Sequence, residues 1–206
     1  MSEPKSRVKK IDTIVPGVLH WSLHDDRIDA KSHAYAVQEG GKTVLIDPLP
    51  LEESALPVLG KVEAICITDA CHQRSAWRYR KQFGVKVYAP EGVDGLEEKP
   101  DVWYREGDTL PGGLKAIHAP GLTATHHAFH LERGGGALFC ADLLTHEKGK
   151  IAFLPDQYQA DPKRTRETVR KFLDLEFTTL CFDHGDPITK EPHAAIREAL
   201  KEDKGK

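Results

Sequence analysis

The sequence predicts an α/β (α+β) domain in which two mixed β-sheets pack together and helices cover the outside. Three observations carry this reading. Short apolar and β-branched runs recur along the 206 residues, glycine clusters separate several of them, and segments of helical spacing fall late in each half. Hairpins and β-α-β units both occur in each half, which requires sheets of mixed rather than uniform direction.

The elements follow in order. Residues 1–10, "MSEPKSRVKK", are polar and are expected to form a disordered tail. No apolar run stands behind them, so neither a signal peptide nor a membrane span is expected. Residues 11–206 are expected to form a single domain. "IDTIVPGVLHWSL" reads as extended chain broken at Pro16-Gly17. "AYAVQ" and "TVLID" flank "EGGK", whose paired glycines supply the positive φ of a tight hairpin. "VEAICIT" is a buried strand, "HQRSAWRYRKQF" has helical spacing and stops at Gly84, and "VKVYAP" is the next strand. In the second half "LKAIHAPG", "HHAFHLE" and "ALFCAD" are strands, the last two joined by "RGGG". "DPKRTRETVRKFLDL" opens with an Asp N-cap and a Pro at the first helical position. "TTLCFD" is a final buried strand and "TKEPHAAIREALKE" a closing helix.

Composition narrows the function classes. A net charge of −3 leaves no footprint for nucleic acid. Four scattered cysteines do not make a disulfide scaffold, so a reducing cytoplasm is expected. The 11 histidines are the outlying count, and several of them fall at strand ends. "HAPGLTATHHAFH" holds His118, His126, His127 and His130; "LFCADLLTHE" ends a strand at Asp142; "LCFDHGDPI" ends another at Asp183, His184 and Asp186. "CITDACHQR" places Asp69, Cys71, His72, Gln73 and Arg74 after the "VEAICIT" strand. One such Asp is most often a turn residue and one such His a hydrogen-bonded surface or core group. Their recurrence at the ends of separate strands points to a shared metal or polar site.

These motifs, in this order, resemble the metallo-β-lactamase superfamily over roughly residues 11 to 200. "TVLIDPLP" is similar to the family's strand ending in Asp. "HAPGLTATH" is similar to its histidine loop, whose last His binds metal; here that position is His126. "LFCAD" resembles Leu-Phe-x-Gly-Asp, with Asp142 at the metal-bridging Asp, and "FDHGDPI" resembles Gly-His-Gly-x-Pro-Ile, with His184 at the ligand. The resemblance implies a four-layer αββα sandwich with the site along one edge of the sheets. The family's Thr-His-x-His-x-Asp-His loop is altered. Thr68 matches, but the four ligand positions hold Asp69, Cys71, Gln73 and Arg74, and His72 stands at a spacer.

The chemistry of each change can be weighed. A carboxylate and a thiolate remain acceptable to zinc, whereas Gln73 replaces a carboxylate and Arg74 stays protonated. Arg74 puts a permanent positive charge where a second ion would sit, so a dinuclear site is not expected. Arg74 is expected to pair with Asp142 or to grip an anionic substrate group. The expected metal set is His126, Asp142 and His184 plus ligands drawn from Asp69, Cys71 and His72, holding one divalent ion. Zinc suits this set best, and iron or manganese is admissible. With metal-activated water as the nucleophile, Asp69 is the general-base candidate and Arg74 the second catalytic candidate. The implied substrate is a small molecule, such as an ester, thioester, lactone or phosphoester. The competing reading is a metal-free ligand-binding or regulatory protein on the same fold, without cofactor. A thiol function at Cys71 ranks last. No membrane partner is expected, and the oligomeric state is left open.

Overall fold

The computed structural model describes residues 3–203. The first half begins with strands β1 (Asp12–Val15), β2 (Val18–Asp25), β3 (Ala30–Glu39), β4 (Lys42–Ile46) and β5 (Lys61–Cys66). Helix α1 (Ala76–Phe83) then leads to β6 (Lys86–Pro90) and β7 (Val102–Tyr104). These seven strands form one sheet in sequence order, antiparallel from β1 to β4 and parallel from β4 to β7.

The second half supplies β8 (Thr109–Leu110), β9 (Leu114–His118), β10 (His127–Leu131) and β11 (Ala137–Phe139). A separate hairpin follows, β12 (Leu144–Glu147) with β13 (Lys150–Phe153). Helix α2 (Pro162–Lys171), strand β14 (Thr179–Cys181) and helix α3 (Pro192–Asp203) complete the chain. The second sheet runs β14-β11-β10-β9-β8, with β14 parallel to β11 and the remaining pairs antiparallel. The resulting αββα order has three buried apolar seams. Trp21, Leu45, Ile65, Trp77 and Tyr79 pack α1 on the first sheet. Tyr35, Val44, Phe129, Phe139 and Cys181 fill the space between the sheets. Leu138, Leu143, Val169, Phe172 and Ile196 join the second sheet to α2 and α3.

Local chemistry explains the boundaries. The hairpin glycines carry the expected positive φ, 56° and 76° at Gly40 and Gly41 between β3 and β4. Helix α1 starts later than its spacing predicts, because residues Ala70–His72 wind into a separate 3-10 turn. It ends at Gly84 in the left-handed region, whose N–H returns to the Arg80 carbonyl. Asp161 caps α2 by accepting from the Arg164 N–H at 2.9 Å. Strands β7 and β8 and the β12–β13 hairpin were not expected.

The tail expectation needs correction over residues 3–10; residues 1 and 2 lie outside the described residues. Val8 bridges Leu51 in a parallel sense and packs on the first apolar seam. The Glu3 carboxylate accepts from Ser75 Oγ at 2.8 Å and Arg78 Nε at 2.7 Å. Backbone hydrogen bonds of Val8 with Pro50 and Glu52, its apolar contact and the Glu3 ion pair with α1 thus hold a segment whose composition alone reads as unstructured. Among the described residues no helix is long and apolar enough to cross a membrane.

Candidate functional site

The parallel strands β4 and β5 of one sheet, and β11 and β14 of the other, send their carboxyl ends to the same edge of the sandwich. The residues just past those ends are Asp47, the 68–74 loop, Asp142, and Asp183 with His184. His126 arrives on the loop entering β10. Backbone strain gathers here too: Asp47, Arg74 and Ala141 all have positive φ, at 45°, 34° and 50°. A cleft of about 1110 Å³ opens over this edge and is walled in part by Cys71, His72, Arg74, Asp142 and His184.

His72 is the hub. The His72 N–H reaches the Asp69 carbonyl at 3.1 Å, closing the 3-10 turn. Such a turn eclipses residues three apart, so Asp69 and His72 both face inward, each 2% exposed, while Cys71 opens outward. Thr68 Oγ1 donates to Asp47 Oδ2 at 2.6 Å, so His72 Nδ1 donates to Thr68 at 2.7 Å. The other nitrogen, Nε2, lies 3.1 Å from Asp142 Oδ2 and 3.2 Å from Asp183 Oδ2. Burial alone would lower this imidazole's pKa; the Cys71 thiol and the carboxylates of Asp183 and Asp142 outweigh it and hold the pKa well above 6.5. For Asp142 burial pushes the other way and is outweighed above all by the charge and hydrogen bond of His72, which keep the carboxyl well below the usual range. Burial raises Asp47 to about 7.

Arg74 departs from expectation. Its Nη2 donates to Asp183 Oδ2 at 2.9 Å, not to Asp142, and its Nη1 donates to the carbonyls of His33 and Asp47 at 2.9 and 3.2 Å. The side chain is 3% exposed, so it is committed to the interior rather than to a substrate. Gln73 is equally occupied. It donates to the Gly95 carbonyl at 3.1 Å and accepts from Trp77 Nε1 and the Glu97 N–H, both at 2.7 Å. Asp69 accepts from the Thr123 hydroxyl and is turned away from the cleft wall.

His126 and His184 are held alike. Each directs Nδ1 at a backbone carbonyl, Ala119 at 3.1 Å and Lys31 at 3.0 Å, so Nδ1 carries the proton and Nε2 keeps its lone pair. Burial lowers His126 to about 4, which keeps it neutral. His126 Nε2 and Asp142 Oδ1 are buried without a hydrogen-bond partner, and His184 Nε2 lies 3.5 Å from Asp142 Oδ1. Imidazoles locked through Nδ1 with Nε2 bare are the form in which histidine binds a metal. Among the described residues, the groups whose ligand atoms all lie within 4.8 Å of one another are Cys71–His72–Asp142 and Asp47–His72–Asp183. The expected trio of His126, Asp142 and His184 shares Asp142 and this edge with the first group but does not itself form one of them.

Other expectations resolve simply. His118, His127 and His130 bond to the carbonyls of Ala124, Thr125 and Glu176, away from the cleft. His146, Phe153 and Tyr158 line the cleft, and Cys66, Cys140 and Cys181 are buried. Sequence reasoning missed His33. It joins His20 at 2.8 Å with the rings stacked, and it forms part of the cleft wall. The signal was the antiparallel pairing of β2 with β3, which sets the two residues on a diagonal of one face.

Comparison with known proteins accords with this geometry. A family described as the metallo-beta-lactamase superfamily matches residues 11–201. No curated protein matches the chain. A metallo-β-lactamase from Pontibacter korlensis superimposes with a TM-score of 0.75 at 18% identity, covering 93% of this chain and 98% of that one. One from Hirschia baltica gives 0.73 at 12% identity, covering 94% and 98%. FIM-1 from Pseudomonas aeruginosa, solved in its mono-zinc form, gives 0.72 at 16% identity, covering 97% and 98%. At these identities the structural likeness is one of fold.

Proposed function

Because the chain belongs to the metallo-β-lactamase superfamily, we propose that it is a hydrolase that works with one divalent metal on a small ester, thioester, lactone or phosphoester bearing an anionic group. The observation that carries this is the pair of orphaned buried acceptors, His126 Nε2 and Asp142 Oδ1. Leaving such groups unsatisfied costs about 1–3 kcal/mol each, more for a charged one, and a cation relieves that cost. His126, Asp142, His184, Cys71 and His72 are the residues to hold it, and their nitrogen, oxygen and sulfur donors suit zinc, with iron or manganese admissible. When bound, such an ion polarises a carbonyl or phosphoryl oxygen and acidifies water.

The chain's own groups divide the remaining work. Arg74 neutralises Asp183 and fixes the carbonyls of His33 and Asp47, a positioning role in place of the expected substrate grip. Arg27 and Lys31 line the cleft, paired with Asp25 and Asp186, and are the side chains to turn to a substrate anion. Asp69 positions Thr123 on the cleft wall. The proton-accepting role expected of Asp69 passes to His146, whose Nδ1 donates to the Asp186 carbonyl at 2.6 Å and leaves Nε2 as the acceptor. The four free thiols support a cytoplasmic location.

A metal-free binding or regulatory protein is the second reading, favoured by His72 Nε2 lying between Asp142 and Asp183 with Arg74 beside them. In that reading the chain supplies the cations itself. Elemental analysis of protein purified without a chelating tag, then reconstituted with zinc, manganese or iron, separates the two. The hydrolase reading expects a single bound ion that Asp142→Ala removes. No ion after reconstitution refutes it and leaves the metal-free protein.

A further inference from the structure

The altered loop does more than lose ligands. The 3-10 turn carries Cys71 to the cleft side of His72 and brings Cys71, His72 and Asp142 within 4.8 Å of one another through their ligand atoms. Donors roughly 2.0–2.3 Å from a tetrahedral ion stand about 3.3–3.6 Å apart. His72 Nε2 and Asp142 Oδ2, at 3.1 Å, are already near that spacing, and the Cys71 thiol lies within 4.8 Å of both. The second oxygen, Asp142 Oδ1, is buried without a hydrogen-bond partner, and Asp142 as a whole is 9% exposed.

The rival group, Asp47–His72–Asp183, is unsuited. The Thr68 N–H and hydroxyl occupy Asp47 at 2.8 and 2.6 Å, and Arg74 occupies Asp183 at 2.9 Å. An ion there would lie against a guanidinium. Neither Asp47 nor Asp183 lines the cleft, so no open position for water or substrate would remain. Cys71, His72, Asp142 and His184 all line it.

We propose that this protein seats its metal on Cys71 Sγ, His72 Nε2 and Asp142, a thiolate-bearing centre shifted by one residue from the pattern its superfamily uses, and selective for soft ions of the zinc type. The proposal rests on the single-metal reading above. It names which side chains make the site and therefore which class of ion it accepts. Soft thiolate favours zinc over magnesium or manganese. Seating the solvated ion forms one bond each to sulfur, nitrogen and an Asp142 oxygen in exchange for bound water molecules; the thiol proton and the Nε2 proton leave to solvent, and no oxidant or reductant is required.

The probe is Co²⁺ alone, added to the chelator-stripped full chain. The expected result is a near-ultraviolet thiolate-to-metal charge-transfer band that Zn²⁺ bleaches and Mg²⁺ does not. Cys71→Ser should abolish the band and weaken Zn²⁺ binding by roughly tenfold or more, since loss of a ligand exceeds loss of a supporting group. Cys71 is exposed, so the variant should keep the parent's circular dichroism and metal-free thermal midpoint. Alkylation gives a second readout without catalysis. Cys71 is the accessible thiol against three buried ones, and Zn²⁺ should protect it from iodoacetamide. Cobalt binding without the band, or Zn²⁺ bound equally well by Cys71→Ser, overturns this seat and returns the ion to His126, Asp142 and His184. Absence of any binding to the parent protein overturns the single-metal reading itself, and this seat with it.

Discussion

Replacing Arg74 with Met retains most of the side chain's length and removes its charge. The guanidinium now meets Asp183 at 2.9 Å and two backbone carbonyls at 2.9 and 3.2 Å, all inside the protein. Breaking a buried pair by deleting one partner costs about 3–5 kcal/mol, because the other charge is left without compensation. Two features set where in that range the cost falls. His72 Nε2, 3.2 Å from the same Asp183 oxygen, takes over part of the charge and argues for the low end. The carbonyls of His33 and Asp47 lose a charged donor each and argue for the high end. For a domain of this length, 3–5 kcal/mol corresponds to a thermal midpoint lowered by roughly 6–20 °C. Urea unfolding of the metal-free protein, followed by circular dichroism, measures it directly. Adding Asp183→Asn to Arg74→Met should recover part of the loss, since the stranded charge goes with it. A loss below about 1 kcal/mol, the range of exposed pairs, would show that Arg74 is solvated and that its interior role is misjudged.

The remaining predictions concern pH and one glycine. His72 has its folded pKa above 6.5, so its stabilisation is fully present below pH 6.5 and is lost as pH rises through the folded value. The urea midpoint of the metal-free protein should therefore fall on the alkaline side, and His72→Gln should flatten that limb; parallel curves for parent and variant would refute it. Asp142 has the opposite sign: its stabilisation is present above 3.8 and lost as pH falls below, so Asp142→Asn should flatten the acid limb. Gly185 has φ 122°, and a Cβ there would lie 2.1 Å from the His146 carbonyl oxygen. Gly185→Ala should cost about 2–4 kcal/mol in urea unfolding and lower metal content by displacing the neighbouring His184. Unchanged stability would mean the β12 segment is free to move aside.

What the sequence made legible follows the range of the interactions involved. Hairpins carried by Gly40-Gly41, helix α2 with its Asp161 cap, and α1 ending at Gly84 depend on residues a few positions apart, and all three could be read in advance. Strands β7 and β8 are three and two residues long and owe their existence to neighbours across the sheet. The β12–β13 hairpin does have a local signal. Lys148-Gly149, with φ 51° and 77°, turns the chain between two short runs. At the site, the motif's ligand positions fall on residues 69, 71, 73 and 74. That spacing does not encode the 3-10 turn that carries the spacer His72 to the centre. Nor could spacing choose Asp183 over Asp142 as the partner of Arg74, because 109 residues separate that pair.

Charge balance connects the altered loop to the number of ions it can serve. Asp47, Asp142 and Asp183 bring three carboxylates to the site, and Arg74 offsets one of them permanently. Without metal, protonated His72 offsets a second, and the remaining excess is consistent with Asp47 being raised to about 7, where burial favours its neutral form. A single divalent ion, with His72 a neutral ligand and Cys71 a thiolate, leaves these groups one negative charge in excess, since three carboxylates and the thiolate stand against Arg74 and the ion. A second divalent ion would turn this into a net positive charge in a buried site that already holds a guanidinium, a cost that the low-dielectric interior magnifies. The substitution of Arg for a ligand at position 74 thus supports a site adjusted to one cation, and metal binding should weaken as pH falls, because the ion competes with protons for His72 and Cys71.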